Sequence, residues 1–286
     1  MDKVSIIIVS YNTKDITDRC LASIKEDAEI IVVDNASTDS SAEMITQKYP
    51  KAKLIVCKTN LGFTGGNNLG MAKANGDYFL LLNSDAFLEK DTLGKCLEHI
   101  AKFDVIGCKL TYDDGKLQPS AGYLPNPINT FLWVFGIDTL PIVKKLIPSV
   151  HPKYPEFFSK NRQVGWVTGA FMFLRREVYT KTGGFDEKYF MYTEEVDWCK
   201  RIINHGFKVW YVSDFSVVHL QGASQQNMNK ALVREMQGMV YYFEKYYPQW
   251  PMRMIIKLGN FARVLAFKIM GQPKRAAVYK EIVRVI

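Results

Sequence analysis

The sequence predicts an α/β fold, a sheet flanked by helices, on two observations. Strand-like runs at residues 5–9, 30–33, 54–56 and 78–82 are continuously apolar, as strands read when helices cover both faces of a sheet. Helix-length segments at 15–25, 40–49 and 65–75 separate them, which is the βαβ alternation of a layered domain.

Each strand ends in polar residues. Tyr11-Asn12 follows the first, Asp34-Asn35-Ala36-Ser37 the second, residues 60–66 the third and Asn83-Ser84-Asp85 the fourth. The carboxyl ends of parallel strands border the ligand crevice of an open α/β sheet, so four polar ends in succession point to one site. Helix capping by Ser37 or Asp39 explains the second of them equally well.

The stretch Asn60-Leu61-Gly62-Phe63-Thr64-Gly65-Gly66-Asn67-Asn68 is a glycine-rich turn entering a helix, and bare N–H groups there would cradle a phosphate. It matches neither Gly-x-Gly-x-x-Gly nor a P-loop, which sets aside a nicotinamide enzyme and an NTPase. From 113 to 163 seven prolines break any long element around the apolar patch at 131–135, the pattern of a long lid or binding loop. Order returns at residues 165–174, then Gly184-Phe185-Asp186-Glu187. Thr193-Glu194-Glu195-Val196-Asp197-Trp198 opens a helix whose early acids suit its dipole, and strands around Val209 and Val217 lead to His219.

Composition narrows the class. With 286 residues, 48% of them hydrophobic, the chain is long enough to bury a sizeable core. Five unspaced cysteines fit neither a zinc ribbon nor a disulfide framework, and a reducing compartment is expected. Met1-Asp2-Lys3 runs into the first strand without a basic leader, so no secretory signal is expected, and no apolar run reaches membrane-spanning length.

Of the net charge of +8, nearly all lies after residue 250, where eight Lys/Arg face one acid, Glu281. This sets residues 231–286 apart, as a basic helical extension, from a domain at residues 1–230. On a helix Arg253, Lys257, Asn260 and Lys268 share one face and Met254, Leu258, Phe261, Leu265 and Ile269 the other. Such a helix suits an anionic membrane surface, and packing on the rest of the chain or on a second copy, as a homodimer, fits equally well. Nucleic acid is not an expected partner, because the aromatics are not spaced as stacking platforms.

In order and spacing, seven segments over roughly residues 4–220 resemble the inverting family 2 glycosyltransferases of the GT-A fold. They are Val9-Ser10-Tyr11-Asn12, Val32-Val33-Asp34-Asn35-Ala36-Ser37, Asn60-Leu61-Gly62-Phe63 with Gly66-Asn67-Asn68, Leu82-Asn83-Ser84-Asp85, Trp166-Val167-Thr168-Gly169-Ala170, Gly184-Phe185-Asp186-Glu187 and Glu194-Glu195-Val196-Asp197. Each is short, but the ordered set is specific. The pattern is nearest to rhamnosyltransferases that build bacterial surface polysaccharides.

The resemblance implies a dTDP- or UDP-sugar donor held by Ser10, Tyr11, Asn12, Asp34, Asn60, Gly65, Asn83 and Ser84. Asp34 would accept the N3–H that uracil and thymine possess and cytosine lacks. Tyr11 would lie against the base or pack in the core. Asp85 and His219 would hold Mn²⁺ or Mg²⁺, with Asn83 standing where the family's Asp-x-Asp motif has its first acid. Glu195, usually Asp in the family, would be the catalytic base. Trp166, Gly169, Ala170, Glu194 and Asp197 would line the acceptor side, Gly169 and Ala170 leaving room for a sugar ring; packing explains Trp166 equally well. The implied activity is metal-dependent transfer of a sugar, rhamnose by the nearest pattern, to a saccharide or polyprenyl-diphosphate-linked acceptor at the cytoplasmic face of the cell membrane. The alternative is a nucleotide-sugar or glycan-binding module that kept the fold and lost catalysis, favoured by Glu in place of Asp at 195. A sugar-phosphate nucleotidyltransferase lacks support, since its N-terminal glycine-rich basic signature is missing.

Overall fold

A computed structural model describes residues 3–221 and 228–286; Met1 and Asp2, read above for a leader, lie outside the described residues. The four apolar runs form strands β1 (Val4–Ser10), β2 (Glu29–Asp34), β3 (Lys53–Val56) and β4 (Tyr78–Asn83). The segments between them form α1 (Lys14–Ser23), α2 (Ser41–Lys48) and α3 (Gly62–Lys73). Ile6, Ile7, Ile8, Ile31, Val32, Leu80 and Leu81 are fully buried, which explains why these strands show no alternation.

The chain continues through β5 (Ala86–Phe87), α4 (Thr92–Ile100), β6 (Val105–Thr111), β7 (Leu117–Gln118), β8 (Ala121–Gly122), α5 (Pro127–Val134), α6 (Val143–Leu146) and β9 (Arg162–Gln163). There follow β10 (Trp166–Val167), β11 (Phe171–Arg175), α7 (Arg176–Thr182), α8 (Glu194–Asn204), β12 (Val209–His219), α9 (Met228–Tyr246), α10 (Met252–Ile269) and α11 (Pro273–Val285). The main sheet runs β3-β2-β1-β4-β11-β6-β12-β5. Its first four strands are parallel, β11 is antiparallel to β4 and β6, and β12 is parallel to β6, so the sheet is mixed.

Register gathers the polar strand ends on one edge. Ser10 lies opposite Asp34, and Val9 opposite Asn83. Because β11 is antiparallel, its beginning comes to the same edge, where the Asn83 N–H donates to the Ala170 carbonyl at 3.0 Å.

The glycine-rich stretch corrects an expectation. Gly65 and Gly66 lie inside α3 rather than in an open turn, and a Cβ at Gly66 or Gly70 would come within 2.8 Å of Val9 or 2.4 Å of Ile7. These glycines let α3 lie close on β1. The first amides of α3 are already used, Gly62 N–H by Asn60 Oδ1 at 2.8 Å and Phe63 N–H by the Phe190 carbonyl at 2.9 Å.

The chain packs as two compact units. The first comprises Met1–Ala121, Lys153–Phe190 and Glu194–Gln226 and holds the main sheet; the second comprises Gly122–Pro152, Met191–Thr193 and Asn227–Ile286. The linear division at residue 230 is therefore replaced by interleaved segments, and much of the stretch expected to be an irregular loop belongs with the C-terminal helices. Its prolines start structure as well as interrupt it: Pro127 opens α5, behind Asn126, whose side chain accepts from Ile128 and Asn129 in a capping box.

Within the second unit α10 packs on α5, α9 and α11. Gly259 makes the approach possible, since a Cβ there would lie 2.1 Å from Val134. Asn260, expected on the polar face, is instead fully buried and donates Nδ2 to the Ile256 carbonyl at 2.8 Å. The expected apolar face is the one that points outward: Met254, Leu258, Phe261 and Leu265 are between 46% and 58% exposed and Ile269 is 87% exposed. The helix buries Met252, Ile256, Gly259 and Val264 and leaves a second apolar stripe uncovered.

Candidate active site

At the end of β2, Asp34 is 1% exposed. Its Oδ2 accepts the Ser37 N–H at 3.0 Å, while Oδ1 is buried without a hydrogen-bond partner. A buried carboxylate oxygen with no donor is costly unless a ligand supplies one. Tyr11 is 39% exposed beside it in sequence order along the same edge, which decides against core packing. Asn35, not assigned from the sequence, donates Nδ2 to the Gly62 carbonyl at 2.8 Å and accepts the Leu61 N–H at 3.3 Å. It ties the end of β2 to the start of α3.

Five residues expected to hold donor make contacts within the chain. Asn12, at φ 51, accepts the Thr38 N–H at 2.8 Å and so orders the loop after β2. The Ser10 hydroxyl is buried among those of Thr13 and Thr17, and Ser84 lies 3.4 Å from Thr13 Oγ1. Asn60 builds the α3 turn. Gly65 faces Leu61, whose Cβ a methyl there would approach to 2.9 Å. Short polar side chains at strand ends have backbone and hydroxyl partners within reach, and these claimed them.

The residues expected to hold metal, Asp85 and His219, meet through backbone pairing. β12 shifts register between Val212 and Ser216, and its end then pairs antiparallel with β5, setting His219 opposite Ala86, the neighbour of Asp85. The Leu220 N–H donates to the Asp85 carbonyl at 3.0 Å, and His219 Nε2 lies 3.2 Å from Asp85 Oδ1. Gln118 supports the imidazole: its Nε2 donates to Gln221 Oε1 at 3.0 Å, so its own Oε1 faces His219 Nδ1 at 2.7 Å. An amide oxygen only accepts, so Nδ1 carries the hydrogen. A carboxylate oxygen and an imidazole nitrogen are both donor types that divalent cations accept. Asn83, expected to hold donor, gives Nδ2 to His219 Nε2 at 3.3 Å. Among the described residues no cluster of three or more acidic, His or Cys groups could hold a metal.

On the acidic side, α8 opens with Glu194 and Glu195. Glu194 is 4% exposed, and burial first and the charge of Glu195 second hold its carboxyl well above the ordinary glutamate range. Burial also pushes the Cys199 thiol up to about 12, with the Val167 N–H opposing and the Glu195 charge adding. Helix α8 packs on the Trp166–Val167 strand, whose chain continues to Ala170, the acceptor of the Asn83 N–H.

Four residues expected on the acceptor side are packed or paired within the chain. Asp197 is fully buried and pairs with Arg201 at 3.0 Å, and Arg201 also donates to the Thr182 and Gly184 carbonyls; the acid braces a loop. Trp166 is 5% exposed and Ala170 4%, so both are packed. The space at Gly169 is taken by the Phe63 ring, 2.7 Å from where a Cβ would stand.

Glu194 carries a pH signature. With its folded value raised above the ordinary 4.5, the folded chain holds a proton that the unfolded chain releases. The associated stability is fully present below about pH 4.5 and is lost as pH rises toward the raised value. Glu194→Gln is expected to match the parent melting temperature near pH 4 and exceed it at alkaline pH, by ~2–4 °C per kcal/mol recovered. Parallel pH curves for the two proteins would refute the assignment.

Residues 5–183 match the family model described as glycosyl transferase family 2. The N-acetylglucosaminyl-diphospho-decaprenol L-rhamnosyltransferase of Mycobacterium tuberculosis is 26% identical over 237 residues, covering 76% of each chain. The rhamnosyltransferase WbbL of Escherichia coli is 29% identical over 231 residues, 76% of this chain and 83% of that one. In shape, the mannosyltransferase PcManGT of Pyrobaculum calidifontis, solved with GDP-Man and Mn²⁺, covers the whole chain and 76% of its own, at a TM-score of 0.59 and 16% identity. That likeness shows the GT-A fold. With the match spanning the strand ends that carry Asp34 and Asp85, the chain belongs to glycosyl transferase family 2 and is a glycosyltransferase.

Proposed function

We propose that this enzyme transfers a sugar with inversion from a dTDP- or UDP-sugar to a saccharide or polyprenyl-diphosphate-linked acceptor in polysaccharide synthesis. Rhamnose is the proposed sugar, supported by the relatives named as rhamnosyltransferases. The observation that carries the reading is the buried, unpartnered Oδ1 of Asp34 on the sheet edge that also bears Asn83. A pyrimidine N3–H is the donor it lacks. Exposed Tyr11 would offer the base a flat face. Glu195 would take the acceptor hydroxyl proton as that oxygen attacks the anomeric carbon, and the carbon–oxygen bond to the diphosphate breaks on the opposite face, which inverts the centre. When bound on Asp85 and His219, a divalent cation would offset the charge developing on the departing diphosphate. One carboxylate and one imidazole suit Mn²⁺ better than Mg²⁺.

Thermal shift against UDP-, dTDP-, GDP- and CDP-sugars, each with and without Mn²⁺, tests donor and metal together. A uridine or thymidine sugar at ~100 times its dissociation constant stabilises by about 2.7 kcal/mol, or ~5–10 °C. Asp34→Asn, whose amide presents a donor to N3–H, is expected to lose most of that shift. Equal shifts from all four nucleotides, or a preference for GDP-sugar, would overturn the pyrimidine reading.

Support for a peripheral contact with an anionic bilayer, at the inner face of the cell membrane, comes from α10. Its outward stripe of Met254, Leu258, Phe261, Leu265 and Ile269 is bordered by exposed Lys257 and Lys268. Each basic residue near anionic lipid adds about 1 kcal/mol to the apolar burial. No described helix is long and apolar enough to cross a membrane. Flotation with phosphatidylglycerol vesicles should recover the protein, and Leu258→Glu with Leu265→Glu should release it. Dimerisation that the same changes abolish, without vesicle binding, would assign the stripe to a second copy instead.

A further inference from the structure

We infer that α9, through Gly238, is a positioning element for the catalytic base: it holds Tyr192 and Thr193 in a left-handed turn that sets the direction in which the following acids leave the backbone. The inference rests on the proposed role of Glu195.

Tyr192 has φ 76 and Thr193 φ 70, and α8 begins at the next residue, Glu194. Among the described residues other than glycine, this is the one place where two positive φ values stand side by side. Neither residue is suited to it. Bulky and β-branched side chains are outliers in that region, at a cost of roughly 1–3 kcal/mol each. Such a turn persists only where its surroundings over-determine it.

The second unit supplies that constraint, since it includes Met191–Thr193 together with α9. Thr193 Oγ1 donates to the Glu235 carbonyl on α9 at 3.3 Å. One turn on, a Cβ at Gly238 would stand 2.8 Å from Thr193 Oγ1, 2.9 Å from Thr193 Cβ and 2.9 Å from the Tyr192 carbonyl. Glycine inside a helix costs about 1 kcal/mol relative to alanine. Here it lets the helix backbone press directly on the turn. Thr193 and Glu194 are both 4% exposed, so a displacement at 193 has little room to dissipate before Glu195.

The test is Gly238→Ala in the full chain, followed by release of UDP or dTDP from the sugar nucleotide that stabilises the protein. Alanine must push the turn by several tenths of an ångström, and misplacement approaching 1 Å costs on the order of 100-fold. The expected result is a 10- to 100-fold fall in kcat, with donor KM within about threefold and the melting temperature held up by the gain in helix propensity. In a Thr193→Gly background two of the three close atoms are gone and φ 70 is unstrained, so Gly238→Ala should cost less than about threefold. That comparison also carries the test if Gly238→Ala alone fails to fold. In a Glu195→Gln background the change should add little, since its effect passes through that carboxylate. Unchanged kcat in Gly238→Ala, a full loss in the Thr193→Gly background, or losses that add fully to those of Glu195→Gln would each overturn the inference. Undiminished turnover of Glu195→Gln alone refutes the base assignment instead, so the two failures are distinguishable.

Discussion

Replacing Glu195 by Gln is expected to lower kcat by about 10²–10⁴-fold, the range a positioned base contributes, while the sugar nucleotide still raises the melting temperature as in the parent protein. Glutamine keeps the shape and cannot take a proton. The two acids at the start of α8 have different surroundings: Glu194 is buried and held toward its neutral form, whereas Glu195 is only partly buried. A carboxyl held toward its neutral form is the less ready proton acceptor, and its less buried neighbour is the better placed one. The paired measurement is Glu194→Gln, expected to retain the larger share of turnover. If Glu194→Gln is the inactive variant and Glu195→Gln turns over, the base is Glu194.

Loss of the imidazole is the second large effect. His219→Ala leaves Asp85 alone against the cation, and Mn²⁺ affinity measured by calorimetry or by electron paramagnetic resonance of the free ion should fall by at least the 10–100-fold that even supporting contacts of a ligand are worth. Gln118→Leu tests the support separately. It removes the acceptor that fixes the Nδ1 hydrogen, at 2.7 Å in the parent protein, and should cost about 10–100-fold in Mn²⁺ affinity while leaving nucleotide binding without metal unchanged. A metal titration unaltered in His219→Ala would remove histidine from the site, and the close Asp85–His219 pair would then be an ion pair of the fold.

Asp34, Asp85 and His219 were named from the resemblance of their segments to the family's, and each stands at the end of an apolar run. Gln118 was not legible, since nothing in Leu117-Gln118-Pro119 signals a strand, and its role exists only because β7 pairs with β6 and β6 with β12. The glycine-rich stretch misled for a related reason. Glycine permits close approach of either a phosphate or a neighbouring strand, and the apolar partner that decides between them, Val9 or Ile7, lies far away in sequence. Asn260 shows the same limit: a helix has one periodicity, but α10 meets α5, α9 and α11 on one side, so the face that is buried follows the partners rather than the polarity of single residues.

By itself the sequence determined the parallel βαβ beginning, the polar strand ends and the order of the chemical segments, because continuous apolar runs, turn residues and carboxylates act through local backbone preference and burial. Tertiary structure alone decided which polar side chains serve the scaffold, that residues 122–152 join the C-terminal helices, and that Gly238 presses on the turn before the acids. Those outcomes depend on which atoms distant segments bring within a few ångströms, where a missing Cβ or a spare hydrogen-bond acceptor acquires its meaning.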